Sequence, residues 1–594
     1  MTTVIEPSPV EWKLTPNPIV TSSAPARARS RRVQTRSSGR ETSESFKHLP
    51  LPPSDEEKYS YFGVQRRWTF IWLFISQLAL ALAFGAVMIH SPATAMGLIL
   101  LTFVVPPMFV NLWLRLRRRR VSLEDHIVLI EDWRRGRTEF PSVNIFLPTC
   151  GEDPDVLDNT FRYVSKIEWP GDISMHVLDD ADDPATKELA RKWGLHYVVR
   201  ENRGELKKAG NLINAFENTN GDYMVVFDAD FAPRPDFLWE TIPYMSNAAT
   251  GVVQTAQYFD VDSRVNEFAR FSGSLQEIFF RWIQPARDTY EAAICAGTNV
   301  VYKREAVIAA GGFARVPLGE DVHSGVKIWV ANYRTRYLPL VLAKGLAPDT
   351  WSALTNQQYR WCRSSMLLMV STFFRSAPFS IAQRICFWAA FLYYMASAAM
   401  ILIVALPTLV IVWFYPTEIH PAQYLAMVPA VLATLFVFPL LARGWRPTIF
   451  RVSMINTFCH IQAVVDALRD KVQAWVPTGA ATTIVKKKGN IPLRTAVIAR
   501  TWFIATQTLL WAGIIHAGLI GVNVLDMWPT ITLTAIQFVM LAPTLITLKP
   551  AASRARPVAK AAPARPEVPS ALVANPVFFG ELTSERAQTM ELAS

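Results

Sequence analysis

The sequence predicts a doubly wound α/β domain of the Rossmann type, inserted between two groups of transmembrane α-helices and accompanied by interfacial helices. Three observations carry this expectation. Short β-rich runs alternate with helix-like runs through the middle of the 594-residue chain. Long apolar runs lie on both sides of that middle. Polar clusters fall between them: Asp228-Ala229-Asp230, Glu320-Asp321 and Gln357-Gln358-Tyr359-Arg360-Trp361.

The apolar residues, 51% of the chain, are unevenly spread. Runs at 69–90 and 94–114 precede the central region, and runs at 387–415, 424–441, 501–520 and 524–548 follow it. Most reach the ~20 residues that cross a bilayer core. Six spans are expected, within 61–120 and 381–548. Arg115 to Arg120, Arg443 to Arg451 and Lys549 to Arg556 follow the second, fourth and sixth runs, whereas the turns at 91–92, 416–421 and 521–523 carry no Lys or Arg. That asymmetry places both termini and residues 121–380 on the cytoplasmic side of the plasma (inner) membrane.

The formal charge of +11 raises the question of nucleic acid. Much of the excess lies next to the expected spans and in the stretch 27–40, where anionic lipid would meet it. No nucleic-acid module is recognisable, and no nucleic-acid partner is expected. The five cysteines are scattered without ligand spacing, so no disulfide or zinc framework is expected. Residues 1–60 are polar, without the apolar core of a secretory signal. They and 549–594 are rich in Pro, Ala, Ser and Arg and read as disordered tails.

Within 121–380, strands are expected at 143–147, 174–178, 196–199 and 223–227, with helices at 154–164, 184–193 and 206–216. This order implies a parallel sheet with helices on both faces, and ligands beyond the carboxyl ends of its strands. There stand Pro148 to Glu152, Asp179-Asp180 and Asp228-Ala229-Asp230. So many carboxylates at one edge call for a cation such as Mg²⁺ or Mn²⁺ with a nucleotide diphosphate. Asp228 and Asp230, two apart at a strand end, point the same way and are the expected metal ligands; the alternative is a capped loop. Asp179-Asp180 reads as a nucleotide or metal contact, or as an Asx-turn.

Lys208 near a helix start suits a phosphate or ribose contact; the alternative is a solvated lysine. Asp321 is the expected base for an incoming hydroxyl, with Glu320 orienting it. His323 is the alternative base, expected to be exposed on its helix. Gln357, Arg360 and Trp361 fall within one helical turn, where Arg360 suits a diphosphate leaving group and Trp361 offers a stacking face for a sugar. The alternative is an amphipathic helix at the membrane surface, and both can hold together. Met454, Phe458, Ile461, Val465, Leu468, Val472 and Trp475 recur at steps of three and four, interrupted by His460, Asp466, Arg469, Asp470 and Lys471. An interfacial helix and a substrate-touching loop are expected across 452–490.

These elements, in this order and with spans on both sides, resemble the family 2 inverting glycosyltransferases, specifically their processive cellulose-synthase-like branch, over residues 65–545. The resemblance implies a GT-A fold in which Asp179 and Asp180 contact uridine and diphosphate. Asp228 and Asp230 would hold UDP and the metal, and Asp321 would be the catalytic base. Gln357, Arg360 and Trp361 would bind the diphosphate and the acceptor end of the polymer. Ile294 to Asn299, with Cys295, Gly297, Thr298 and Asn299, looks like the acceptor-side loop. Trp475 to Gly479, with Trp475 and Thr478, looks like the gating loop. Ala181 stands where the family has glycine, Cys150 where it often has an aromatic residue, and Gly319 where it usually has threonine. No cyclic-di-GMP domain is expected after the last span.

The implied activity is inverting transfer from UDP-glucose to a growing β-glucan that crosses the bilayer, with accessory export subunits as admissible partners. The alternatives are a hyaluronan-, chitin- or curdlan-type synthase, a single transfer to a lipid or lipid-linked acceptor, and a silent membrane scaffold.

Overall fold

The computed structural model describes residues 49–62, 67–89, 101–102, 104–116, 121–261, 265–419, 421–425, 427–469 and 491–548. Helices α1 (Arg67–Ile89) and α2 (Val105–Leu116) precede the central domain. The expected second span, 94–114, is described only in part, since 94–100 lie outside the described residues.

The central domain contains a seven-stranded sheet in the order β3-β2-β1-β4-β8-β6-β9. Its strands are β1 (Val143–Thr149), β2 (Ile173–Asp179), β3 (His196–Val198), β4 (Tyr223–Val226), β6 (Thr250–Gln254), β8 (Val300–Lys303) and β9 (Arg334–Tyr337). A smaller sheet joins β5 (Phe231–Pro233), β10 (Ala343–Gly345) and β7 (Tyr258–Phe259). Helices α3 (Pro154–Val164), α4 (Pro184–Lys192) and α5 (Lys208–Glu217) connect the first strands. Asp153 and Asp183 cap α3 and α4, each followed by Pro at the first helical position, where the missing N–H costs nothing. Helices α6 (Glu267–Ile278), α7 (Glu320–Val330) and α8 (Trp351–Val370) follow.

β1, β2, β3 and β4 run parallel, but β8 is antiparallel to both β4 and β6. The sheet is therefore mixed, which corrects the expected all-parallel arrangement. Val300, Val301 and Tyr302 give β8 its strand character and no direction. The chain leaves β1 toward β2 and β3, then returns on the other side of β1 to form β4. That reversal opens a crevice at the carboxyl ends of β1 and β4, where ligands of such sheets bind.

Residues 49–62, expected within or beside the N-terminal tail, are folded onto this domain. The buried Lys58 ammonium pairs with Asp236 and Glu240, both at 2.8 Å. Pro50 accepts a bond from Asn159 at 2.9 Å.

The membrane-facing part comprises α9 (Ile381–Phe414), α10 (Met427–Leu441), α11 (Thr448–Leu468), α12 (Ile491–Leu519) and α13 (Trp528–Thr547). Ser380 and Gln383 form a capping box that starts α9. Among the described residues four helices are long and apolar enough to cross a membrane: Trp68–Ala86, Ile381–Phe414, Ile491–Leu519 and Val524–Ile546. The shorter apolar helix Met427–Leu441 lies where the fourth span, 424–441, was expected.

Helix α11 differs from a simple interfacial helix. His460 and Asp466, expected on a wet face, are buried. Helices α8, α9 and α12 pack around α11, so these groups find interior partners. His460 Nδ1 meets Ser397 at 2.7 Å, and Asp466 accepts from Tyr359 at 3.1 Å and Arg494 at 3.3 Å.

Candidate active site

Strand β4 stops at Val226, and Asp228 and Asp230 lie in the turn that leads to β5. The expected side-chain alternation along a strand therefore does not operate here. The turn itself places them: Phe231 N–H donates to Asp228 O at 3.2 Å, and Asp228 N–H donates to Thr298 Oγ1 at 2.8 Å. Burial pushes the Asp230 carboxyl up to about 8, aided by the charges of Asp228 and Glu152. Glu152 is itself pushed up to about 7 by burial, with Asp179 and Asp228 adding to the effect. Excess negative charge in one crevice attracts a cation. Among the described residues no group of three or more His, Cys, Asp or Glu side chains is placed to hold a metal by itself, so a cation held by Asp228 and Asp230 would need phosphate oxygens to complete its shell.

Lys208, in the first turn of α5, enters this crevice. Its Nζ donates to Asp228 Oδ1 at 2.5 Å and to Gly297 O at 2.8 Å. Burial works against its charge, yet Asp228, Glu320 and Asp321 hold it protonated, above the usual lysine range. Lys208 thus lies among these carboxylates with its side chain mostly buried, rather than as a solvated lysine.

Gly297 links this group to the expected base. At φ +77 it is left-handed, and a Cβ there would lie 2.9 Å from Asp321 Oδ2. Only glycine lets the loop approach the carboxylate so closely. Burial and the neighbouring Glu320 charge push Asp321 up to about 7, against an N–H bond from Val322 at 2.8 Å. Glu320 is also raised by burial, with Lys208 and Arg360 opposing.

Arg360 reaches the crevice from α8. Burial lowers its pKa, and the charges of Asp228, Glu320 and Asp230 oppose that shift. Helix α8 is set against α7 at Gly319, whose φ is +70 and whose Cβ would fall 1.7 Å from Ser364 Oγ. The departure from threonine at this position has a steric cause. Gly319→Ala is expected to cost about 1–3 kcal/mol and to shift Arg360 relative to Asp321, slowing turnover. Adding Ser364→Gly should restore part of the rate, measured by initial-rate assays of both variants.

Asp179 and Asp180 are engaged by the protein itself. Asp179 accepts from Ala181 N–H at 2.9 Å, Asp183 N–H at 2.8 Å and Tyr197 OH at 2.9 Å, closing the loop after β2. Asp180 receives two bonds from Arg200, at 2.7 and 2.8 Å, and both side chains are buried. Arg200 also donates to Lys207 O, which holds the strained entrance to α5, where Leu206 and Lys207 have positive φ. Gly210 permits this, since a Cβ there would lie 2.2 Å from Arg200 Nη1. Arg200→Ala leaves Asp180 buried and unpaired, and a loss of about 3–5 kcal/mol is expected, read as a lowered melting temperature.

The remaining candidates are more dispersed. Gln357 is buried and accepts from Ser272 Oγ at 3.4 Å on α6. Trp361 is half-buried against the cluster of Tyr359, Tyr394 and Cys459. Cys295 lies in the core with its Sγ 2.9 Å from Tyr302 OH, and Asn299 donates to Ala256 O at 3.1 Å. The 295–299 loop therefore faces the interior with these side chains, and it meets the crevice through Gly297 and Thr298. His323, expected to be exposed, is buried, with Nδ1 2.8 Å from Gly319 O; burial lowers its pKa. Trp475 and Thr478 lie outside the described residues.

Two residues that were given no role beforehand, Glu152 of the first polar cluster and Arg200, lie with this group. Glu152 Oε2 accepts from Cys150 N–H at 2.7 Å and faces the same crevice; its place just beyond the first strand was the available signal. Arg200 had none, because its partner lies twenty positions away.

The chain belongs to glycosyl transferase family 21, whose model matches residues 99–464. It is 29% identical over 300 residues to a cellulose synthase catalytic subunit (UDP-forming) of Pseudomonas fluorescens, covering 50% of this chain and 40% of that protein. It is 27% identical over 342 residues to the corresponding subunit of Komagataeibacter sucrofermentans, covering 56% and 44%. The chain thus spans less than half the length of these curated relatives. The matches bear out the cellulose-synthase-like relationship implied by the motifs. Among solved structures, the mannosyltransferase PcManGT from Pyrobaculum calidifontis, in complex with GDP-Man and Mn²⁺, is similar at 19% identity and a TM-score of 0.41, covering 63% of this chain and 99% of that one. Glucosyl-3-phosphoglycerate synthase from Mycobacterium tuberculosis, with Mn²⁺, UDP and phosphoglyceric acid, follows at 17% and 0.27, covering 39% and 76%.

Proposed function

We propose that this protein is a processive inverting glycosyltransferase that builds a β-linked glucan from UDP-glucose and passes it through the plasma membrane between its own helices. The observation that carries this reading is the meeting of Asp321 with Lys208, Arg360, Asp228 and Asp230 in one crevice beside a bundle of apolar helices. GT-A-like architecture, six spans and cytoplasmic termini belong to the same proposal.

Asp321 takes the proton from the hydroxyl at the non-reducing end of the growing chain. The oxygen attacks C1 of the sugar from the face opposite the phosphate, the C1–O bond to UDP breaks, and the configuration inverts. Lys208 and Arg360 stabilise the charge that gathers on departing UDP. A divalent cation, Mg²⁺ or Mn²⁺, held by Asp228 and Asp230 would offset the diphosphate charge. The loops fixed by Asp179 and by the Asp180–Arg200 pair form the uridine side, and Gln357 and Trp361 the acceptor side. In this reading Trp475 and Thr478 belong to a loop that covers the donor.

Passage of a polymer is supported by buried polar atoms in the helical bundle. Gln358 Nε2 on α8, Asn456 Oδ1 and Gln462 Nε2 on α11, Gln507 Oε1 on α12 and Thr534 Oγ1 on α13 have no hydrogen-bond partner among the described residues. An unmet buried donor or acceptor costs about 1–3 kcal/mol, a cost that hydroxyls of a passing glycan would relieve.

With Asp321 at about 7, the base is protonated below that pH and ionised above it. Transfer should therefore fall as pH drops through 7, by about tenfold per unit, and level off above it. The whole reading is tested with purified protein in lipid, offered labelled UDP-glucose and other UDP-sugars singly while product length is measured. Long β-glucan from UDP-glucose supports it. A single transferred sugar points to lipid-acceptor chemistry, and no transfer from any donor points to a scaffold.

A further inference from the structure

A cavity of about 320 Å³ is formed by residues outside the carboxylate cluster. None of the site carboxylates lines it. Its walls come from residue 61, the segment around β7, helix α6 and the loop 443–446 that follows apolar helix α10. Three arginines line it: Arg270, Arg443 and Arg446. Arg270 is buried, with Nη2 donating to Val265 O at 3.1 Å. No carboxylate lies within ion-pair distance of these three among the described residues.

The cavity's acidic residues are accounted for differently. Both oxygens of Glu277 are occupied, by Arg281 at 2.7 Å and by the backbone N–H of Arg443 at 2.7 Å. Glu277 thus fixes the arginine loop in place. Asp260 lies 3.8 Å from Lys344. Tyr61, Tyr258 and Trp445 provide aromatic surface beside the cations. Nearby, the buried Ser274 hydroxyl has no partner among the described residues. A Cβ on Gly444 would lie 3.6 Å from that hydroxyl and 3.0 Å from Val261, so the loop and helix meet closely here.

We propose that this cavity binds a phosphate-ester anion, held by Arg270, Arg443 and Arg446, with its carbon portion against Tyr61, Tyr258 and Trp445. Guanidinium groups beyond ion-pair distance of the cavity's two carboxylates match phosphate oxygens, and the aromatic rings supply an amphipathic wall. The position after α10 admits two sources, the headgroup of an anionic lipid or a soluble phosphate ester. Helix α6 connects the cavity to the catalytic side: Gly273 lines the cavity, and the adjacent Ser272 donates to Gln357 on α8.

The test uses full-length protein in a neutral detergent, titrated by native mass spectrometry with phosphatidylglycerol, phosphatidylcholine and sn-glycerol 3-phosphate. The proposal expects binding of phosphatidylglycerol over phosphatidylcholine, or of glycerol phosphate. The first outcome assigns the site to lipid and the second to a soluble ester. The exposed pair Arg443→Gln/Arg446→Gln should weaken that binding by at least about tenfold with an unchanged melting temperature. Arg270→Gln, from inside the cavity, should do the same. Arg375→Gln, at a basic position elsewhere near the helices, should leave it unaltered. Three results would overturn the proposal: no binding of any probe, unchanged binding in both cavity variants, or an equal loss in Arg375→Gln.

Discussion

Asp321→Asn is expected to slow sugar transfer by about 10²–10⁴-fold while UDP still binds. Asparagine has nearly the same shape and can still accept the Val322 N–H bond. It can also sit under Gly297, where space is tight. What it lacks is the ability to take a proton at neutral pH. The variant therefore separates a chemical role from a structural one. Initial rates with labelled donor, together with UDP titration, give the two readouts. Wild-type rates would remove Asp321 as the base; loss of UDP binding alongside would mean that the variant has disturbed the crevice.

Arg360→Gln is expected to lower turnover by about 10²–10³-fold, with a smaller change in donor affinity. The Arg360 side chain is half-buried, and its interactions with Asp228, Glu320 and Asp230 place its charge where the diphosphate would leave. A charge that matters most as the C1–O bond breaks acts on kcat more than on KM. Equal losses in both would assign Arg360 to ground-state binding. The glutamine keeps the helix and most of the side-chain volume, so a normal melting temperature should accompany the loss.

The clusters of carboxylates were legible in the sequence because each follows a recognisable strand or begins a helix. The strands ending at Thr149, Asp179 and Val226 lie close to their expected positions, and the β1–β4 crevice follows from their order. Other features depended on contacts that spacing does not encode. The direction of β8 is set by its neighbours, as four residues carry no orientation. Asp180 resembled a ligand because its partner, Arg200, is distant in sequence. His323 and His460 looked like wet-face residues, since periodicity records where apolar side chains recur but not whether a second element covers the opposite face. The same limit hid the burial of Asp466. Asp228 and Asp230 share a crevice through a turn held by Thr298, rather than through strand alternation. The steric reasons for Gly297 and Gly319 required backbone angles and neighbouring atoms.

The most direct measurement is calorimetric titration of UDP into the purified protein, with Mg²⁺ or Mn²⁺ and then with chelator, for wild type and for Asp228→Asn/Asp230→Asn. The proposed chemistry expects binding that depends on the cation and is lost in the double variant. Equal UDP affinity with and without cation, in both proteins, would contradict it.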